Sequence, residues 1–119
     1  MLATMKLLPS LLLSVLAVTT VAGQESSLRA QATAALQRGV EFFRTQVAVE
    51  GTYLWQYSED LSKREGENKA TATQAWVQPP GTPAVGQAFL SAWQATSNAW
   101  YLEAARETGI RLVLLLSFY

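Results

Sequence analysis

Between Gly51 and Gly86 the chain drops the apolar period that governs it on either side. The stretch GTYLWQYSEDLSKREGENKATATQAWVQPPGTPAVG crowds rings and charges together, whereas the residues before and after it repeat apolar positions every three or four. A connection of that length between helices is usually functional or disordered. Tyr53, Trp55, Tyr57 and Trp76 favour order, because bulky rings gain from burial. Glu50, Glu59, Asp60, Lys63, Arg64, Glu65, Glu67 and Lys69 gather in or beside the same stretch. The chemistry of the chain is therefore sought there and not on the helices.

The first residues read as an address. Met1 to Lys6 carries one positive charge, Leu7 to Val18 is an apolar run broken only by Pro9, Ser10 and Ser14, and Val21-Ala22-Gly23 supplies the small residues that a signal peptidase needs. The run is shorter than the roughly 20 residues required to span a bilayer. The reading is a cleaved signal over residues 1–23, with the mature chain starting near Gly23 or Gln24 and exported as a secreted or periplasmic protein. The alternative is an uncleaved anchor.

The whole chain carries 9 Lys and Arg against 9 Asp and Glu. Loss of Lys6 with the leader leaves it nearly neutral, which gives no steering toward nucleic acid. With 0 Cys and 0 His, an exported chain must hold together by core burial rather than disulfides, and it lacks the commonest metal ligand and the usual general base. Once the leader is gone, no membrane segment is expected.

Three amphipathic helices are expected. Ser26 or Ser27 can cap the first, over Ser26–Val47, in which Leu28, Ala32, Ala35, Leu36, Val40, Phe43 and Val47 form the apolar stripe and Gly39 leaves room for another helix. Thr82-Pro83 signals the start of the second, over Pro83–Thr96, with Thr82 as the cap and Val85, Ala88, Phe89, Ala92 and Thr96 facing inward. The third, over Asn98–Leu112, turns Tyr101, Leu102, Ala105, Gly109 and Leu112 inward and carries Glu107 and Arg111 outside as an i, i+4 pair. The last two form an αα-hairpin. Gly51–Gln78 is expected to be irregular, with at most a short extended piece at Tyr53–Tyr57.

Residues 24–119 therefore read as an all-α piece of a layered helical array, which one hairpin and one further helix cannot close. The apolar run 112–119 ends without a cap, a Gly or Pro stop or a polar tail. The expectation is a truncated or frame-shifted N-terminal fragment that folds poorly alone. The alternative is a last helix docked face-down.

Within the loop, alternation places Tyr53, Trp55 and Tyr57 on one side of an extended segment. Such a row of rings suits the stacking of sugars, or else it plugs the end of a helical barrel. Lys63 and Arg64 suit a carboxylated substrate and the neighbouring acids a hard cation, the alternative being a solvated, self-neutralising charge run. The approach to the second helix suits an anion at a helix N-terminus, unless Thr82 caps it.

The order of a helix, then Gly-Thr-Tyr-Leu-Trp-Gln-Tyr-Ser-Glu-Asp-Leu-Ser-Lys-Arg-Glu-Gly-Glu, then Trp-Val-Gln-Pro-Pro-Gly-Thr-Pro-Ala-Val-Gly and Tyr-Leu-Glu-Ala-Ala-Arg, resembles the N-terminal part of secreted bacterial proteins related to pectic acid lyases, up to about Arg111. The resemblance implies an (α/α) toroid built of helical hairpins. For true pectate lyases it implies β-elimination of polygalacturonate, in which calcium acidifies the C5 proton and an arginine removes it. The catalytic arginine would lie beyond Tyr119. Where those lyases carry a calcium-bridging aspartate, this chain reads Gln78-Pro79-Pro80-Gly81-Thr82-Pro83.

The function expected is that of the N-terminal part of a polysaccharide lyase-like protein acting on pectate or a related acidic polysaccharide, inactive as this fragment. Tyr53, Trp55, Tyr57, Lys63, Arg64, Lys69 and Trp76 are the substrate-binding candidates, no residue is assigned to catalysis or to metal, and calcium belongs to the full-length relative. The competing reading is a non-catalytic helical module binding glycan or protein. A terpenoid-cyclase-like toroid would need an acidic initiating motif, which the sequence lacks.

Overall fold

The computed structural model describes residues 10–117. Residues 1–9 of the expected leader and the last two of the apolar end lie outside them. The described chain is mainly α-helical, with helices α1 (Ser10–Phe42), α2 (Thr82–Thr96) and α3 (Ala99–Leu116), a π-helical turn over Phe43–Val47, and a two-stranded sheet of β1 (Gln56–Tyr57) and β2 (Arg64–Glu65). None of the described helices is long and apolar enough to cross a membrane.

The chain divides into two compact units, Met1–Ala35 and Leu36–Tyr119. In the first, α1 runs through the expected start at Ser26. The Ser26 hydroxyl donates back to the carbonyl of Gly23 at 2.9 Å instead of capping a first turn, and Gln31 reaches Ser27 at 3.2 Å. Serine is as able to bond the preceding turn as to start a new one.

The second unit holds the core. Val40 and Val47, seven residues apart on the expected stripe, are buried, and Tyr53, Leu54, Phe89, Ala92, Tyr101 and Ala104 join them. The last turn of the first helix is widened, with the amide of Ala48 bonding Phe43 at 2.9 Å. Leu28, Leu36 and Phe43, by contrast, remain exposed.

Helix α2 starts with Gly81 at its N-cap and Pro83 in the first turn, and Thr82 makes no capping bond. It ends at Ser97, which adopts the left-handed conformation with φ 57°. Asn98 then caps α3, its side chain accepting from the amide of Trp100 at 3.0 Å. Because this connection is so short, α2 and α3 form the αα-hairpin. Gly86 lets them approach, since a Cβ there would come within 3.1 Å of the Thr108 methyl. Phe89 and Ala92 face inward as expected, whereas Ala88 is exposed and on α3 the buried positions are Tyr101, Ala104 and Thr108 in place of Gly109.

Glu107 and Arg111 do not pair with each other. Arg44 brings one nitrogen within 2.7 and 2.8 Å of the two Glu107 oxygens while lying over the Trp100 ring, and Arg111 reaches Glu50 at 3.3 Å. A shared helix face is necessary for the i, i+4 pair, but charges from the segment after α1 lie closer.

Candidate functional site

The long connection is built around a hairpin whose strands pair antiparallel, Gln56 opposite Glu65 and Tyr57 opposite Arg64. The amide of Trp55 donates to Glu65 and that of Ser58 to Lys63, each at 3.0 Å. Pairing at Arg64–Glu65 was not visible in the sequence, because strands this short have no period of their own. The turn closes on Leu61, in the left-handed region at φ 57°, a conformation uncommon for a bulky side chain.

Asp60 organises that turn. Its carboxylate accepts from the Ser58 hydroxyl at 2.7 Å, the Ser62 hydroxyl at 2.8 Å and the Ser62 amide at 3.1 Å. These donors, the Ser58 hydroxyl first, lower its pKa to about 2. The acids of the loop thus divide among a turn-forming Asp60, a half-buried Glu65 on β2 and exposed Glu59 and Glu67. Among the described residues no group of three or more His, Cys, Asp or Glu side chains is placed to hold a metal ion.

The rings do not form one row. Tyr53 turns into the core, 1% exposed, packed 6.0 Å from both the Phe43 and the Phe89 ring. Burial pushes its hydroxyl up to about 12. Alternation identifies a face of a strand but not which face the core will claim. Tyr53 is thus withdrawn from the surface expected for it and packs into the core.

Trp55, Tyr57 and Trp76 are half-buried, and each is held by the backbone around it. The Trp55 indole N–H donates to the carbonyl of Gln78 at 3.3 Å. The Tyr57 hydroxyl accepts from the amide of Leu54 at 2.6 Å, and burial pushes its pKa up. Trp76 packs on Gly66, where a Cβ would stand 2.6 Å from the ring. Arg64 lies 5.9 Å from the centre of the Tyr57 ring and donates to the carbonyls of Leu61 and Ala72, each at 3.3 Å. Lys63 and Lys69 are exposed and make no ion pair among the described residues.

Sequence reasoning missed the residue that ties this assembly to the helices. Thr82 is fully buried; its hydroxyl accepts from the amide of Tyr53 at 2.9 Å and donates to the carbonyl of Trp76 at 2.6 Å. The Thr-Pro pair reads as a cap, and its actual partners stand 29 and 6 residues back along the chain, outside the helix. Gly81 completes the junction, because a Cβ there would lie 2.8 Å from the Tyr53 carbonyl oxygen and 3.2 Å from the Trp55 ring.

In and beside the hairpin the loop offers three half-buried rings, two ammonium groups without an ion pair among the described residues and one guanidinium, a set of groups that suits adsorption of a flat or ring-shaped ligand. Comparison with protein-family profiles, with curated proteins and with solved structures finds nothing that matches this chain.

Proposed function

We propose that this chain is a secreted, glycan-directed module that binds an acidic polysaccharide through Trp55, Tyr57 and Trp76, with Lys63, Arg64 and Lys69 reading its carboxylates, and that the chain alone does not cleave it. The observation that carries this reading is that three half-exposed rings already have partners without a ligand, Trp55 bonding Gln78, Tyr57 bonding Leu54 and Trp76 packing on Gly66. Preorganised rings give contact area with little loss of rotamer freedom. Glu59, Asp60, Glu65 and Glu67 offset the three cations, so stacking supplies the affinity and charge supplies discrimination.

The wider setting we propose is the N-terminal part of a lyase-like (α/α) toroid. A groove of about 390 Å³ between the end of α1 and α2, lined by Leu36, Gly39, Val40, Phe43, Ala84 and Ala88 among others, supports that reading, since helical arrays close such grooves with further hairpins. Elimination from a uronate needs a base at C5 and a cation on the carboxylate. Arg64 is engaged with two carbonyls.

Affinity electrophoresis in gels containing polygalacturonate, methyl-esterified pectin or galactan tests this. Retardation is expected to be strongest with polygalacturonate and to fall severalfold in Trp55→Ala and in Lys63→Ala with Lys69→Ala. Absorbance of the C4–C5 double bond is expected to stay flat with and without calcium. Unretarded migration in all three gels by a chain with a helical circular dichroism spectrum sinks the reading.

A further inference from the structure

Away from the hairpin, a second feature remains unused by the glycan reading. Two hollows of about 550 and 570 Å³ lie along α3, and Glu50, Arg111 and Leu114 line both. The first is completed by Val49, Thr52, Thr73 and Ala75.

Local backbone geometry sets this ridge. Glu50 has φ 51° and Gly51 φ 79°, a left-handed pair that turns the chain sharply back. The turn rests on the stem of Arg111, whose Cγ lies 3.4 Å from where a Cβ of Gly51 would be. The carboxylate of Glu50 is thereby set 3.3 Å from the Arg111 guanidinium, with both side chains substantially exposed.

Arg44 and Arg111 differ in what they have left to give. Arg44 is 19% exposed, has short contacts with both oxygens of Glu107 and covers Trp100. Arg111 uses one donor at a longer distance, and the second oxygen of Glu50 has no partner among the described residues. A guanidinium and a carboxylate thus lie side by side, each with spare capacity, beside an aliphatic wall of Val49, Ala75 and Leu114.

We propose that this cleft binds a small aliphatic α-amino acid as its zwitterion. The ligand carboxylate lies against Arg111 and its ammonium against Glu50, so that four charges alternate around a square and the Glu50–Arg111 pair need not break. The side chain rests on Val49, Ala75 and Leu114. A lone anion or cation would meet one attractive and one repulsive charge, so the site selects for a ligand carrying both. The exposed pair implies millimolar affinity.

The test is a titration of the 15N-labelled 119-residue chain with L-leucine, isovalerate and isoamylamine, followed by amide shifts. Leucine is expected to move Glu50, Gly51, Thr73 and Arg111, with the two single-charge analogues binding at least tenfold more weakly. Arg111→Ala and Glu50→Gln, both at exposed positions, are each expected to weaken leucine binding tenfold or more while leaving the rest of the spectrum and the retardation by polygalacturonate unchanged. Absence of leucine-induced shifts in the parent chain overturns the proposal. So does equal binding of isovalerate, which would make the cleft an anion site, or undiminished binding by Arg111→Ala.

Discussion

A single hydroxyl, that of the buried Thr82, serves two backbone groups, the Tyr53 amide and the Trp76 carbonyl. Thr82→Val keeps the shape and removes both bonds. The Trp76 carbonyl keeps the Thr82 amide as a donor at 3.4 Å, so the Tyr53 amide alone is left unsatisfied; at about 1–3 kcal/mol for such a group the variant is expected to lose that much in urea unfolding, and Thr82→Ser to recover most of it. Tyr53 supplies a second measurement. Its hydroxyl titrates at about 12 in the fold against 10.0 in the unfolded chain, so the neutral ring favours the fold fully below pH 10 and that contribution disappears between pH 10 and 12. The expected loss is roughly 2–3 kcal/mol, read as a fall in urea midpoint that is smaller in Tyr53→Phe, where the raised Tyr57 hydroxyl alone remains. The role of Thr82 was not legible in the sequence, because Thr-Pro starts helices and so looks like a cap; burial of the rings was one of two readings, but strand parity treats Tyr53 and Tyr57 alike although only Tyr53 is fully buried.

At the scale of elements, the three helices were legible because the 3.6-residue period runs through α2, α3 and the end of α1. The loop was legible by lacking that period. Its internal sheet was not, since two-residue strands carry no alternation and are fixed by Asp60 and by pairing across the turn. That turn predicts an acid response. Asp60 titrates at about 2, below its ordinary 3.8, so its support of the hairpin is complete above pH 4 and fades as pH falls through 2. Carboxyl carbon shifts should give a midpoint near 2 for Asp60, and in Ser62→Ala that midpoint should move up. Gly66→Ala is the corresponding packing test. Its Cβ would stand 2.6 Å from the Trp76 ring, so Trp76 must move, at a cost of about 1–3 kcal/mol and with changed indole emission.

Among the described residues the core is small, gathered on Tyr53, Phe89 and Tyr101, while Leu28, Ile110 and Val113 stand 59%, 61% and 63% exposed. So much uncovered apolar surface beside so little buried puts stability near the bottom of the usual range of about 5–15 kcal/mol. A melt of the full chain is expected to be broad and low. Tyr53→Ala, which at roughly 3–5 kcal/mol for a buried aromatic removes most of that margin, is expected to abolish near-ultraviolet dichroism. Such weakness need not be spread evenly. Because the Tyr53 amide is held by a side chain from the first turn of α2, solvent deuterium reaches it only when loop and helix part together. The amides of Ser58 and Lys63, held within the hairpin, can exchange by a local excursion. Exchange at Tyr53 should therefore track denaturant as steeply as the slowest helix amides while the hairpin tip exchanges ahead of it, so that the longest irregular stretch of the chain carries one of its slowest clocks.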